Sequence, residues 1–387
     1  METFLSSVPL VGWGPILAIA AVAVAFLVIA VLLWRNHTVW RWVFVALFVV
    51  TGLTAVADWV NTRTAYYDTL ADLFGVATYP TPAGTASGPA VQPQPTATPS
   101  ASSVTPPPTP TATTSTTSTP AVQPQPDGVV TTISIPDTNS HFGQFEANVW
   151  LPPQYFTDTR AHFPVILLLH GNPGGNRDWL NGSFAAQTGL ASAQAGKPVI
   201  LVFPTVLRPG ATSDSLCLDT ASQGNADTYL LKDVVPTIDN TFRTNVDAQQ
   251  RGIGGLSMGG YCALNLGLKH PDVFQISLDF SGETYPVADT LPGGLQQLFG
   301  ANYQQQADAN DPSKYWSQLD GSKGPALFLY CGTGDTAILS AMTKLAPELK
   351  SKGFTVELQS GPGAHEFATF GNGFKAALPW AASRFYP

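Results

Sequence analysis

The distribution of apolar and polar residues divides the chain into three unlike parts. Two apolar runs come first, from about residue 11 to 34 and from about 43 to 60. A tract rich in proline, threonine and serine follows, over residues 78–128, with Asp127 as its one charged side chain. From residue 129 onward, short apolar runs alternate with helix-like patterns, which predicts a folded globular domain.

The two apolar runs predict a transmembrane helical hairpin, because about 20 such residues cross a bilayer core as a helix. Arg35 and Arg41 lie in the short connection, while the first ten residues contain no lysine or arginine. The positive-inside rule therefore predicts a cytoplasmic connection and extracytoplasmic ends. A cleaved signal peptide is the alternative for the first run, but no positive charge precedes it.

The predicted organisation is a hairpin over residues 1–62, a short juxtamembrane segment over 63–77, a disordered linker over 78–128 and a folded domain over 129–387. The linker composition cannot bury enough apolar area to fold. Proline-rich chain extends by about 3.1 Å per residue, so the linker would reach on the order of 150 Å. The sequence thus predicts a multi-pass protein of the cell membrane, whose folded domain stands outside the cytoplasm on a stalk.

The folded domain has the pattern of an α/β fold with a mostly parallel sheet. Continuous apolar runs separated by helices indicate a parallel sheet covered on both faces. Two antiparallel strands are expected first, at residues 129–135 and 144–151. The later expected strands are 164–169, 199–203, one starting at 252, 274–280, 325–330 and 354–358, and the expected helices are 183–195, 226–242, one after residue 257, 340–352 and 371–384.

Composition narrows the range of functions. The formal net charge of −8, with only 11% charged residues, provides no basic stripe, so a nucleic-acid partner is excluded. The 44% hydrophobic content is enough for a sizeable core.

One strand-to-helix junction carries a G-x-S-x-G pattern, at Gly255-Leu256-Ser257-Met258-Gly259. In this pattern a serine on a sharp turn exposes its hydroxyl above a parallel sheet. Glycines flank the serine because side chains there would collide with the neighbouring strand and helix. Ser257 is therefore the candidate nucleophile, although a serine in a glycine-rich turn can also be an ordinary turn residue.

Two more candidate side chains follow strands, where doubly wound sheets place their sites. Asp335 comes after the strand 325–330, and His365 comes after the last strand. The order Ser257, Asp335, His365 is that of α/β-hydrolases, in which the histidine takes the serine proton and the acid fixes the histidine tautomer. The plainer alternatives are a helix N-cap for Asp335 and a solvated loop position for His365.

Glu283 is the rival acid, because it follows the strand 274–280. Asp335 is the acid we expect, since its strand lies nearer the edge that carries His365. An oxyanion hole is expected from the backbone N–H groups of Met258 and, in the loop after the third strand, Asn172. His170 opens that loop, and we expect it to order the loop through a hydrogen bond rather than to act in catalysis.

The candidate site residues belong to a wider set of motifs: His170-Gly-Asn-Pro-Gly-Gly with Asp178-Trp179, the elbow Gly255-Leu-Ser-Met-Gly-Gly-Tyr-Cys-Ala, His270-Pro-Asp, Asp279-Phe-Ser-Gly, Gly332-Thr-Gly-Asp335 and Gly363-Ala-His365. With these motifs, the domain from about 130 to 387 resembles the esterase D and antigen 85-like branch of the α/β-hydrolases, in particular its actinobacterial esterases. The resemblance implies an α/β-hydrolase fold and ester hydrolysis or acyl transfer through an acyl-enzyme intermediate, without metal or cofactor.

Antigen 85 proteins transfer mycolic acids, and this chain departs from them in carrying Asp335 where they carry a glutamate, and in its hairpin and stalk. The expected function is therefore a membrane-anchored extracytoplasmic serine esterase that acts on small-molecule, lipid or cell-envelope esters, with acyl transfer as an alternative. A second alternative is a hydrolase-fold protein that binds the cell wall and has lost its chemistry. The intact set Ser257, Asp335 and His365 favours the enzyme.

The remaining expectations concern the cysteines and one long segment. Outside the cytoplasm a cysteine pair can oxidise, and Cys217 and Cys262 both face the site region in this architecture, so we predict a disulfide between them. Cys331 is expected to be a buried free thiol. Residues 283–323 are expected to cap the acyl pocket, or else to form a surface excursion without contact to substrate.

Overall fold

The computed structural model describes residues 13–34, 38–64, 125–181, 185–208, 215–288 and 293–387. Most of the predicted juxtamembrane segment and nearly all of the predicted linker lie outside the described residues, as does Arg35. The described residues form the two helices of the hairpin and the folded domain.

The hairpin consists of helices α1 (Trp13–Leu32) and α2 (Thr38–Thr64). Ile16, Ala23 and Ala30 are the buried apolar residues of α1, and their seven-residue spacing places them on one stripe, as in left-handed helix pairs. The other apolar side chains of both helices are largely exposed. Both helices are long and apolar enough to span a membrane, and α1, near the N-terminus, also has the length and composition of a signal sequence.

The folded domain is built on an eight-stranded sheet. Its strands are β1 (Val129–Ile135), β2 (Phe145–Leu151), β3 (Val165–Leu169), β4 (Ile200–Pro204), β7 (Arg251–Leu256), β8 (Ile276–Phe280), β9 (Ala326–Gly332) and β10 (Val356–Gly361), and a separate two-stranded ribbon pairs β5 (Asp219–Thr220) with β6 (Gly224–Asn225). The strand order in the sheet is β1-β2-β4-β3-β7-β8-β9-β10. The pairs β1–β2 and β2–β4 are antiparallel, and all the other pairs of this sheet are parallel. The predicted α/β class with two leading antiparallel strands is confirmed.

Helices lie between most of these strands. The helices of the folded domain are α3 (Pro153–Thr157), α4 (Asp178–Asn181), α5 (Ala185–Gln194), α6 (Ala226–Thr228), which continues through a π-helical stretch (Tyr229–Val234) into α7 (Val235–Thr241), α8 (Met258–Lys269), α9 (Gly294–Phe299), α10 (Tyr303–Ala309), α11 (Pro312–Tyr315), α12 (Thr336–Ser351) and α13 (Phe367–Phe385). The long helices α5, α8, α12 and α13 are among those that the sequence predicts.

The central strand β3 shows why the sheet is covered on both faces. All five of its residues are buried. Val165, Leu167 and Leu169 belong to one apolar cluster, while Ile166 and Leu168 belong to another. Because successive side chains of a strand point to opposite faces, an unbroken apolar run supplies two cores at once. The carboxyl ends of the parallel strands are left free to carry loops.

Helices α12 and α13 begin earlier than the sequence predicted, at Thr336 rather than 340 and at Phe367 rather than 371. These first turns contain apolar residues, Ile338 and Leu339 in α12 and Phe367 and Phe370 in α13, so the helical pattern extends one turn further towards the N-terminus than the prediction placed it. Asp335 and His365 consequently lie at or just before a helix start rather than in longer free loops.

The predicted cap segment, residues 283–323, contains α9 to α11 and packs against α8. Tyr261 donates its hydroxyl hydrogen to the carbonyl of Asn310, at 2.7 Å. Tyr315 donates to Oδ1 of Asn265, also at 2.7 Å. The segment is therefore fastened to α8; its covering of an acyl pocket stays a prediction.

Candidate active site

Ser257 lies in the turn between β7 and α8, with φ of 55° and ψ of −123°. An L-residue rarely adopts such a positive φ, so the surrounding structure has to enforce it. The Ser257 N–H donates to the carbonyl of Phe280 in the next strand at 3.0 Å, and the Ser257 carbonyl accepts from Gly260 at 2.8 Å. The turn is thereby fixed to both the sheet and the helix, with the half-buried serine at the carboxyl end of β7.

Gly255 and Gly259 make this turn possible. A Cβ atom on Gly255 would collide with the backbone of Gly259, and a Cβ atom on Gly259 would collide with the carbonyl of Leu169 at the end of β3. Side chains at these positions would force strand, helix and loop apart. The glycines of the G-x-S-x-G pattern therefore serve close packing around Ser257.

The structure brings Ser257, His365 and Asp335 together, although 108 residues separate the serine from the histidine. Nε2 of His365 lies 2.8 Å from Oγ of Ser257, and Nδ1 lies 2.7 Å from Oδ2 of Asp335. With the ring proton on Nδ1, the histidine donates to the carboxylate and accepts from the serine hydroxyl. The Asp335 side chain is 13% exposed and that of His365 is 40% exposed, so the acid is shielded while the histidine faces solvent.

The loops that carry the acid and the histidine are joined by backbone hydrogen bonds. The Thr333 N–H donates to the carbonyl of Gly361, and the Gly334 N–H donates to that of Gly363, each at 2.8 Å. Asp335 occupies the N-cap position of α12, but its side chain makes no capping bond. The N-cap alternative from the sequence therefore describes the backbone position, while the carboxylate is directed at His365.

The loop after β3 lies against the nucleophile. A Cβ atom built on Gly171 would be 3.2 Å from Cβ of Ser257. Met258 begins α8, where backbone N–H groups have no partner within the helix. The two predicted oxyanion donors, the N–H groups of Met258 and Asn172, thus belong to the segments on either side of Ser257, and their role stays a prediction.

His170 is buried beneath this loop, with 1% of its surface exposed. Its Nδ1 lies 2.7 Å from the carbonyl oxygen of Gly171, and its Nε2 accepts from the Val206 N–H at 3.0 Å. Burial lowers the pKa of His170 to about 4, so near neutral pH the ring is neutral with its proton on Nδ1. These bonds agree with an ordering function, and they occupy both ring nitrogens of His170.

Two other buried groups lie near the carboxyl ends of β8 and β9. Asp279 accepts from the Gly282 N–H at 2.7 Å, and burial raises its pKa well above the usual range. Cys331 is a buried free thiol, as expected from the sequence. Burial raises the pKa of Cys331 to about 11, which keeps the sulfur protonated and unreactive near neutral pH.

A disulfide joins Cys217 to Cys262, with 5.6 Å between the two Cα atoms. This is the pairing that the sequence analysis proposed. It fastens the segment after β4 to the first turns of α8. Among the described residues, no group of three or more histidine, cysteine or acidic side chains is placed to hold a metal ion.

Sequence reasoning missed the residues that connect the disulfide to the loop after β3. Ser215 is 2% exposed and Val206 is fully buried, and both take part in hydrogen bonds that lead to His170. A serine and a valine in an irregular segment carry no motif, so only the three-dimensional arrangement identifies them.

Comparison with known proteins agrees with this geometry. A family model described as "Putative esterase" matches residues 139–381, which is more than half of the chain. An uncharacterized protein of Corynebacterium glutamicum is 30% identical over 257 residues, covering 64% of this chain and 59% of its own. An esterase of Mycobacterium tuberculosis is 27% identical over 246 residues, covering 57% of this chain and 52% of its own. This chain therefore spans little more than half the length of these relatives.

Among solved structures, a ferulic acid esterase superposes with a TM-score of 0.58 at 21% identity, over 67% of this chain and 98% of its own. At that identity the likeness shows a shared fold. The match over residues 139–381 shows the family, and the chain belongs to the esterases described as "Putative esterase", within the α/β-hydrolase superfamily.

Proposed function

We propose that this protein is a serine carboxylic-ester hydrolase that works through an acyl-enzyme intermediate. The observation that supports this most is the continuous chain of hydrogen bonds from Ser257 through His365 to Asp335, at 2.8 and 2.7 Å. Such an arrangement lowers the cost of forming a serine alkoxide, because a base and its orienting acid are already in place.

In the proposed mechanism, Oγ of Ser257 attacks the acyl carbonyl while Nε2 of His365 takes the hydroxyl proton. Asp335 holds the ring in the productive tautomer and stabilises the imidazolium. The N–H groups of Met258 and Asn172 stabilise the oxyanion of the tetrahedral intermediate. His365 then protonates the leaving alcohol. Water repeats the sequence on the acyl-enzyme to release the acid and restore Ser257.

Hydrolysis by the full chain in detergent micelles tests this proposal. We expect turnover of short p-nitrophenyl esters, and covalent labelling by a fluorophosphonate probe at the peptide that contains Ser257. If an alcohol is added and the protein forms a new ester of that alcohol in place of the free acid, the result would instead indicate acyl transfer. A chain that neither turns over esters nor takes the probe contradicts the proposal and favours a binding protein without chemistry.

We further propose that the esterase is anchored in the cell membrane with its folded domain outside the cytoplasm, and that it acts on lipid or cell-envelope esters. The two long apolar helices over Gly14–Leu32 and Val39–Trp59 support the anchor. Arg35 and Arg41, in and just after the connection, support a cytoplasmic position for it. The disulfide between Cys217 and Cys262 fits an oxidising compartment. Residues 63–128 would then separate the folded domain from the bilayer.

This topology predicts the outcome of cysteine labelling on intact cells. A Ser100→Cys variant should react with a membrane-impermeant maleimide, whereas a Thr38→Cys variant should react only after permeabilisation. The background should be low, because Cys217 and Cys262 are joined and Cys331 is buried. Labelling of Thr38→Cys but not of Ser100→Cys in intact cells would reverse the orientation.

A further inference from the structure

A continuous set of hydrogen bonds runs from the disulfide to the loop that carries Asn172. We propose that Ser215, held by the Cys217–Cys262 disulfide, is a positioning residue that fixes the second oxyanion donor relative to the first. This inference rests on the proposed function, because it concerns the same site. It names residues that neither the G-x-S-x-G pattern nor the Ser-His-Asp set includes.

The set of bonds begins on α8. Cys262 lies four residues after Met258 on that helix, and its sulfur joins Cys217. Leu216 and Cys217 both have positive φ, at 49° and 51°, a conformation that non-glycine residues keep only when their surroundings impose it. The disulfide and the neighbouring hydrogen bonds supply that constraint.

Ser215 is the next member. Its Oγ accepts from the Cys217 N–H at 3.1 Å and donates to the carbonyl of Val206 at 2.8 Å. Because Ser215 is only 2% exposed, water is poorly placed to replace either bond if the hydroxyl is removed. The hydroxyl thus couples the backbone at Cys217 to the backbone at Val206.

Val206 connects Ser215 to His170 and to the loop after β3 that carries Asn172. Its N–H donates to Nε2 of His170 at 3.0 Å, and Nδ1 of His170 donates to the carbonyl of Gly171 at 2.7 Å. Gly171 directly precedes Asn172 and lies close to Ser257, with 3.2 Å from its built Cβ to that of the serine. Displacement of Val206 would therefore be transmitted to the loop beside the nucleophile.

This path of hydrogen bonds links the two segments that carry the predicted oxyanion donors. One end is on the first turns of α8, beside the donor at Met258, and the other end is beside the donor at Asn172. Oxyanion stabilisation requires both donors at about 2.7–3.1 Å from the developing charge, and misplacement by about 1 Å can cost on the order of a hundredfold in rate. A path that joins the two segments fixes the distance between their N–H groups.

Removing the Ser215 hydroxyl tests the proposal in the full chain. We expect Ser215→Ala to lower kcat about tenfold, with KM within about twofold of the parent. The affinity for a trifluoromethyl ketone, which forms an oxyanion on the serine, should fall by about the same factor as kcat. Ser215→Thr keeps the hydroxyl and should restore most of the rate.

Ser192→Ala is the matched control, because Ser192 is also buried and donates to a backbone carbonyl, that of Lys197 at 2.7 Å. It should leave both kcat and the affinity for the ketone within about twofold of the parent. If the role of Ser215 were purely structural, Ser215→Ala would lower the thermal stability, as Ser192→Ala would, but it would not selectively lower kcat and the affinity for the ketone.

Nitrogen NMR of the chain labelled with ¹⁵N-histidine supplies a readout that does not require activity. The Nε2 resonance of His170, assigned by its absence from His170→Gln, should shift in Ser215→Ala and stay in place in Ser192→Ala. An unshifted resonance together with parental kcat in Ser215→Ala overturns the inference while leaving the proposed function intact. A parent that hydrolyses no ester contradicts the proposed function, and the resonance then decides whether the path exists.

Discussion

Replacing Ser257 by alanine should lower kcat for p-nitrophenyl ester hydrolysis by at least about a thousandfold. The substitution removes the hydroxyl that lies 2.8 Å from Nε2 of His365, so no acyl-enzyme can form. The backbone strain of the turn should be the same in the variant, because alanine and serine both carry a Cβ atom at the positive φ of this position. The loss should therefore reflect the chemistry rather than misfolding.

Ser281→Ala is a suitable control for this experiment. Ser281 also has a positive φ, of 54°, and directly follows the neighbouring strand β8. Its hydroxyl donates to Sγ of Cys331 at 3.5 Å rather than to a histidine. Its replacement should change kcat by less than about threefold, and fluorophosphonate labelling should persist in Ser281→Ala and vanish in Ser257→Ala. Parental hydrolysis by Ser257→Ala would remove the serine from the mechanism.

The sequence predicted those parts of the fold in which burial or close packing limits which residues can occupy a position. β3 reads as an unbroken apolar run because both its faces are buried, and β1 and β2 pair as the expected antiparallel ribbon. The glycines around Ser257 predicted a strand-to-helix turn because larger residues do not fit there: a Cβ atom on Gly255 would collide with the backbone of Gly259, and one on Gly259 would collide with the end of β3. In each case a local requirement restricts which residues can occupy the position.

The parts that the sequence did not predict depend on contacts between distant segments. The starts of α12 and α13 are set by the paired loops around Asp335 and His365, where Gly334 bonds to Gly363. The left-handed backbone at Leu216 and Cys217 has no sequence signal, because neither residue favours it. The path from Ser215 through Val206 to His170 includes a hydrogen bond between residues 36 positions apart, beyond the range of any periodicity.

The choice of acid leads to the second large expected effect. Asp335→Asn should lower kcat by on the order of 10⁴, as loss of the orienting acid does in serine hydrolases. The asparagine amide can donate a hydrogen bond to Nδ1 of His365, which would move the ring proton to Nε2. In that tautomer the histidine cannot accept the Ser257 proton, even though the three side chains keep their positions.

Glu283→Gln should keep kcat within about tenfold of the parent, although Glu283 also follows a core strand and was the rival candidate in the sequence. The structure places Oδ2 of Asp335 at 2.7 Å from Nδ1 of His365, and that nitrogen has one hydrogen to donate. A second carboxylate could therefore orient the ring only by displacing Asp335, whose loop is tied by backbone bonds to the loop of His365. Steady-state kinetics of the two variants, measured in the full chain with the same ester, compare these positions directly. If Glu283→Gln lost activity and Asp335→Asn kept it, the acid would have to be reassigned to Glu283, and the observed Asp335–His365 pair would be an inactive arrangement.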